Sequence, residues 1–590
     1  MSTVDWIVLT ITLLGIVAYG LYKSRTTHNL EGYFLSNRSM PWYLVLLSIM
    51  GTQASAVTFL SGPGQAYTDG MRFVQYYFGL PLAMVVLCIT FVPIFKKLKL
   101  ITAYEFLEKR FDLKTRTFTS FLFLLQRGLS TGISVAAPSI ILSALLGWDI
   151  FWTNIVMGGL LIIYTVTGGA KAVAYTQQLQ LIIIIASMFL AGYMVVHLLP
   201  SNVGFFDALK MSGEAGKLNV IVTGITPKGF DWTDRYNLIS GLIGGFFLAL
   251  SYFGTDQSQV GRYLTARSVT ESRLGLLMNG LVKVPMQFLI LLIGALVFVF
   301  YQFHPSPVYF DNSQVERLDQ SLYGGEGRRI QHAFDSVNNL KQQYTASWSV
   351  GVDHAQWKQL QFRSDSLRGE YKKVLSRATA TDAKDTNYIF LRFVIDYMPR
   401  GLIGLLIAVI FLASWGSIAA SLNSLASCSM VDFHKRFSKN TLTAEQQYQW
   451  AQWYTLGWGL LCIAGAQFAT AIGNSLIEAV NILGSMFYGV TLGVFLIAFY
   501  FKRINGTATF WSAVIVEAYI ILSAIWPWLH TKIPGVMDVV PPRIDAFMSG
   551  ASKVGFLWLN AIGALGVVML GWIFSLFRPN KKAATDFAAN

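Results

Sequence analysis

The sequence predicts an all-α integral membrane protein of about 13 transmembrane helices. Three observations predict it. Of 590 residues, 54% are hydrophobic and only 13% charged, whereas soluble domains are about 45–50% apolar and about 25% charged. Thirteen apolar stretches run near the roughly 20 residues that a helix needs to cross the hydrocarbon core. Basic residues gather in alternate loops between them. The length alone would suit three or four soluble domains of about 150 residues, and the composition excludes them.

The elements follow in order. Stretch 4–22 is an extra N-terminal helix, and with the loop after it fills residues 1–40. Stretches 41–66, 72–95, 116–147, 149–167 and 173–199 make a five-helix unit, 41–199. A loop, 200–235, leads to 236–255 and 273–303, which form segment 236–303. A hydrophilic insertion, 304–388, then interrupts the series; its composition suits two helices, Val315–Gln343 and His354–Arg377, parted by Thr345–Val352. Stretches 400–431, 447–471 and 475–501 complete a second unit within 389–501. Stretches 507–529 and 554–577 end the chain within 502–590.

Charge orients the bundle. One set of loops holds Lys96, Lys97, Lys99, Lys109, Arg110, Lys114 and Arg116, then Arg262, Arg267 and Arg273, then Lys435, Arg436, Lys502 and Arg503. The other short loops are poor in base. The rich set is cytoplasmic by the positive-inside rule, which puts the N-terminus outside and the C-terminus inside. The insertion falls on the outer face, and long loops cross regardless of charge. The net charge of +14 is therefore a topology signal, and no nucleic-acid partner is expected. Cys88, Cys428 and Cys462 sit in apolar runs and make no disulfide framework. The N-terminus has neither the basic region nor the cleavage site of a signal peptide.

Two helices read as broken. The second stretch contains Gly51-Thr52-Gln53-Ala54-Ser55-Ala56 and then Ser61-Gly62-Pro63-Gly64. Five stretches later come Ser240-Gly241, Gly244-Gly245 and Tyr252-Phe253-Gly254. Irregular backbone in a membrane belongs beside a cavity or inside protein, and interruptions at matching places in two halves point to an inverted-repeat secondary transporter. The ninth stretch, Ala413 to Ser424, is dense in small and hydroxyl residues. Such a face serves close packing or supplies the oxygens a hard cation wants. Ionisable residues inside spans are expensive and point to function. They are Arg127, Lys283 and Glu478, with Asn481 nearby and Asp256 and Gln257 ending the seventh stretch. Arg127 and Glu478 are candidates to pair with each other.

In this order the motifs resemble the sodium/solute symporter family, which includes sodium/glucose and sodium/proline cotransporters. They are Ser55-Ala56-x-x-Phe59; Gly168-Gly169-Ala170-Lys171-Ala172-Val173, similar to a family turn; Tyr252 to Gln257 with Arg262; Leu281-Val282-Lys283-Val284-Pro285; and Leu422-Asn423-Ser424 through Val431-Asp432-Phe433-His434-Lys435. The resemblance covers roughly residues 1–577 apart from the insertion. It implies a LeuT-type five-plus-five inverted repeat and sodium-driven solute uptake by alternating access.

The resemblance also implies sites. Sodium ligands fall at backbone carbonyls of Gly51, Ala54 and Ala413 and at Gly416 and Ser417. Gly416 departs from the family, where a hydroxyl is usual. Gln177 departs too, since Thr-Asp often stands where this chain has Thr176-Gln177, and this argues for a single coupling sodium. The sugar pattern survives in part. Tyr77, Ser130 and Ala249 replace sugar-binding residues, Lys283 is kept, Asn481 holds a glutamine position, and Tyr252 matches a gating tyrosine. Arg127 lies one helical turn before Ser130 and can reach the same space, while Thr58, Gln75 and Glu478 add polar groups. The expected solute is small and polar, first a sugar or polyol, with a carboxylate, sialic acid or amino acid as the alternative. Other classes fit less well. A sensor would append a signalling domain, whereas thirteen residues follow Phe577. A channel would need a continuous pore, and an enzyme a catalytic constellation. The expected place is a bacterial-type inner (plasma) membrane, with oligomeric state open.

Overall fold

The computed structural model describes residues 1–24, 30–348, 354–379, 383–438, 442–469, 476–533 and 540–577. Parts of the expected boundaries at 349–352, 471 and 475 lie outside them, as does the tail after 577. Helix α1 spans Thr3–Ser24. The Asp5 carboxylate at its start accepts from the Ser2 and Gly401 N–H groups at 2.7 and 2.6 Å, tying α1 to a distant turn. Helices α2 (Trp42–Gln53) and α3 (Ala56–Asp69) are bent by 60° at the break between them. Short helical turns continue to Lys97. Helix α4 spans Leu113–Leu146, starts on the Asp112 cap at 2.8 Å from Thr115 N, and ends at Gly147 with φ 67°, the left-handed turn that glycine adopts without strain.

Helix α5 runs Ile150–His197. A π-helical turn at Ser240–Gly244 leads into α6 (Gly245–Thr255), followed by α7 (Gln257–Leu264) and α8 (Val269–Phe303). The insertion supplies α9 (Gly324–Ala346) and α10 (Ala355–Thr379). The last five are α11 (Leu402–Cys428), α12 (Ala444–Ala469), α13 (Leu476–Tyr500), α14 (Gly506–Lys532) and α15 (Phe556–Phe577). Among the described residues the one sheet is a hairpin pairing Ile225–Thr226 with Gly229–Phe230.

Helix α11 is the centre of the bundle. Every residue from Leu406 to Cys428 is buried, and α1, α4, α5 and α12 pack around it, with α2 and α3 against one side. A helix apolar or small all round has no solvent face to present. Helices α13 and α15 form another extensive contact.

Among the described residues, eight helical stretches are long and apolar enough to cross a membrane, nine with the bent α2–α3 pair. The expected turn at Gly168-Gly169 falls within the bounds of α5, Ile150–His197. The first insertion helix starts at Gly324, later than expected; a short helix, Asn312–Asp319, precedes it.

Candidate substrate cavity and sodium site

The α2–α3 break shapes the centre of the protein. The α2 ladder ends with Ala54 N donating to Met50 O at 2.7 Å, and Ser55 is extended at φ −81°, ψ 173°. The carbonyls of the last α2 turn therefore lose the donors that a continuing helix would bring. The matching interruption lies lower than Ser240–Gly245. Those glycines stay helical, and the chain breaks at Asp256 (φ −77°, ψ 117°), whose carboxylate caps α7 at 2.8 Å from Ser258 N.

Between the broken helices lies a cavity lined by Gln53, Ser55 and Thr58 from the first break, Tyr76 and Tyr77, Arg127 from α4, Tyr252 from α6, and Asn481 and Tyr488 from α13. Arg127 Nη2 ion-pairs with Asp256 and donates to the Tyr488 hydroxyl at 2.9 Å, and that hydroxyl donates to Asp256 at 3.0 Å. The guanidinium also lies 5.4 Å from the Tyr252 ring centroid, a favourable cation–π arrangement. Gln259 Nε2 holds the Tyr252 hydroxyl at 2.6 Å, and the Tyr76 hydroxyl donates to Asn481 Oδ1 at 3.1 Å. The cavity thus joins aromatic faces to a few fixed polar groups, the usual make-up of a small-molecule site.

Thr58, Tyr77, Arg127, Asn481 and Tyr252 come together here. Four other sequence candidates do not line the cavity. Gln75 is spent on structure: its amide donates to Tyr236 O at 3.2 Å and accepts from Val222 N at 3.1 Å. Ser130 donates back to Arg127 O at 3.2 Å, the habit of a serine within a helix. Lys283 is fully buried, its ammonium 5.4 Å from the ring centroid of Tyr77 and without a hydrogen-bond partner among the described residues. Glu478 belongs to a second, charged hollow with Asp69, Arg72, Asp234 and Arg235. There it pairs with Arg235 at 3.1 Å, so Arg127 and Glu478 do not pair with each other. Sequence reading missed Tyr488, although it lies seven residues after Asn481 on one helix, a spacing that shares a face.

At the sodium candidates, α2 and α11 face each other across one side chain from α5. Gln177 Nε2 donates to Gly416 O at 3.0 Å and to Thr52 Oγ1 at 3.2 Å, and its Oε1 accepts from Ser48 at 2.8 Å. A Cβ on Gly51 would stand 2.9 Å from Gln177 Cβ, and one on Gly416 would stand 2.5 Å from Gln180 Oε1. Both glycines make room for the glutamines, which accounts for the missing hydroxyl at 416. The Ser417 hydroxyl donates to Ser414 O at 3.0 Å, leaving its oxygen free to accept or to face a cation.

Helices broken around a buried polar cavity are the architecture of a secondary transporter. The profile of the sodium:solute symporter family matches residues 33–311 and 367–516. The sodium/sialic acid symporter NanT of Aliivibrio fischeri is 25% identical over 587 residues, 98% of this chain and 94% of its own length. The sodium/sialic acid symporter SiaT of Proteus mirabilis is 25% identical over 99% of this chain and 97% of its own. A sodium/glucose cotransporter of Vibrio parahaemolyticus is 28% identical over 51% of this chain and 56% of its own. A solved structure of a Na+-coupled sialic acid symporter in a substrate-bound outward-open state shares the fold, with TM-score 0.71 at 23% identity over 98% of this chain and 99% of that one. The chain belongs to the sodium:solute symporter family. It is a multi-pass, sodium-coupled symporter of a solute.

Proposed function

We propose that the protein imports a small hydroxylated carboxylate, of the sialic-acid kind, together with sodium. The observation that carries this reading is Arg127, the one charged residue lining the central cavity among the described residues. Its Nε donates to no acceptor among them, and a guanidinium fork suits a carboxylate. Thr58, Tyr76 and Asn481 offer hydroxyl and amide groups to the rest of the solute. Two relatives named as sialic acid symporters match nearly the whole chain, which supports the same weighting over the neutral sugar favoured by sequence.

In this reading sodium is a co-substrate held by carbonyls of Gly51, Ala54 and Ala413 and by Ser417, beside Gly416. Sodium at the break and solute in the cavity share α2 and α3, so each favours the same closed arrangement and binding of one assists the other. Tyr252 covers the solute, and Lys283 acts from behind Tyr77. About 13 spans in a five-plus-five repeat, N-terminus outside and C-terminus inside, in a bacterial-type inner membrane, complete the proposal, supported by the loop charges.

One observation favours a second reading, a neutral sugar or polyol: the charge of Arg127 is already matched by Asp256. Uptake into proteoliposomes with an inward sodium gradient separates the two. N-acetylneuraminate is expected to be taken up with sodium and not with choline, and its methyl ester to compete poorly. Uptake of glucose or inositol with no effect of N-acetylneuraminate would establish the neutral solute instead.

A further inference from the structure

The insertion has no part in the reading above, yet it is firmly placed. Helices α9 and α10 pack on each other through Ile330, Phe334, Tyr371 and Val374. Asp385 fastens them: it accepts from Phe310 N at 3.1 Å and pairs with Arg368 at 2.6 Å and Lys372 at 2.7 Å. Thr345 donates to Gln302 O at 3.1 Å and Asn338 to Ser306 O at 3.3 Å, so the pair is seated over the end of α8.

A cavity lies beneath it. One wall is cationic, with Lys217, Lys341, Arg368 and Lys372, and another is aromatic, with Tyr67 and Phe298. Asp365 is the carboxylate in the lining. Arg368 and Lys372 share Asp385, so the four cations meet two acids. Asp69, which acts on Lys217, is itself paired with Arg72 at 2.9 Å. Lys341 is 3% exposed, and its ammonium donates at 3.1 Å to Gln361, a neutral acceptor whose amide passes on to Asp365 at 3.0 Å. Asp365 acts on the ammonium across that neutral amide, and a buried charge so indirectly matched is costly.

We propose that this cavity binds a small organic carboxylate, at a site separate from the central one. The two cavities share no lining residue. The cation wall takes the carboxylate, and the Tyr67 and Phe298 rings cover the body, a surface wasted on a bare hydrated anion. Burial pushes Lys341 down to about 8 and lowers Lys217 and Lys372 from their ordinary range, although Asp365, Asp69 and Asp385 act against it; a bound carboxylate adds the further counter-charge that four cations call for.

The test is a 19F NMR titration of the purified full chain in neutral detergent with trifluoroacetate. It uses an Arg127→Gln, Asp256→Asn protein, so that the central cavity does not contribute and no buried charge is stranded. Saturable binding is expected, weakened by about tenfold or more when Lys341→Gln is added and retained with Lys341→Arg. Non-saturable binding, binding indifferent to Lys341→Gln, or equal loss with Lys341→Arg would overturn the site. A failure of the central carboxylate reading appears in the uptake assay and leaves this titration unaffected.

Discussion

Arg127 and Asp256 are joined across two helices that the chain separates by 129 residues, and Tyr488 closes the pair into a triangle. The pair connects α4 to the very residue at which α6 ends and α7 begins. Removing one member leaves the other charge buried and unmatched, a loss of about 3–5 kcal/mol. Asp256→Asn is therefore expected to lower the thermal unfolding midpoint strongly. Arg127→Gln added to it should recover part of the loss, because the second change removes the stranded charge. Simple addition of the two losses would mean that the pair is not an energetic unit.

Ser417 tests the sodium assignment. In the proposed site its hydroxyl oxygen is the side-chain ligand from α11. Ser417→Ala keeps the helix and removes that oxygen. The sodium concentration for half-maximal uptake should rise by about tenfold to a hundredfold, the worth of one charge-assisted contact of about 1.5–3 kcal/mol, while uptake at saturating sodium persists. An unchanged sodium requirement in proteoliposomes would take Ser417 out of the site.

Gly416 makes the converse test. Gly416→Ser would restore a hydroxyl, but its Cβ would meet Gln180 Oε1 at 2.5 Å and Gln177 Cγ at 3.2 Å. Overpacking of this kind costs about 1–3 kcal/mol. The single variant should lose stability, and Gln180→Ala in the same chain should return most of it by clearing the space. If the double variant is as unstable as the single one, the glutamines are not the reason for the glycine.

Sequence reading succeeded where chemistry is local. The α2–α3 break was legible because Gly51, Ala54 and Ser55 stand together there, while Gly62-Pro63-Gly64, read with them, stays helical inside α3. The second interruption was read across Ser240 to Gly254; its glycines at 241, 244 and 245 stay helical, and Asp256, read as the end of the stretch, ends α6 by capping the next helix. The partner of Arg127 was not legible at all: Glu478 and Asp256 both lie far from it in sequence, and only packing brings one to α4 and leaves the other with Arg235. Gln177 was read as a missing acid, and its role as the bridge between Thr52 and Gly416 depends on three helices meeting.

Lys341 gives a pH test of the insertion. Burial pushes its ammonium down to about 8, below the ordinary value of about 10.4 in an unfolded chain. Between these values the unfolded state binds the proton and the folded state does not, so folding stability rises with pH across that window. Below about 8 the folded segment carries the full cost of a buried charge. Lys341→Met removes both the cost and the slope. In neutral detergent without added carboxylate, the variant is expected to unfold at a higher temperature than the parent at pH 7, with the gap narrowing as pH rises toward 10. Hydrogen exchange of the α9 amides, corrected for the intrinsic pH dependence, should follow the same order. A gap that stays constant with pH would mean that Lys341 is not buried as a charge. A parent more stable than the Lys341→Met protein at pH 7 would mean that its bond to Gln361 outweighs the desolvation.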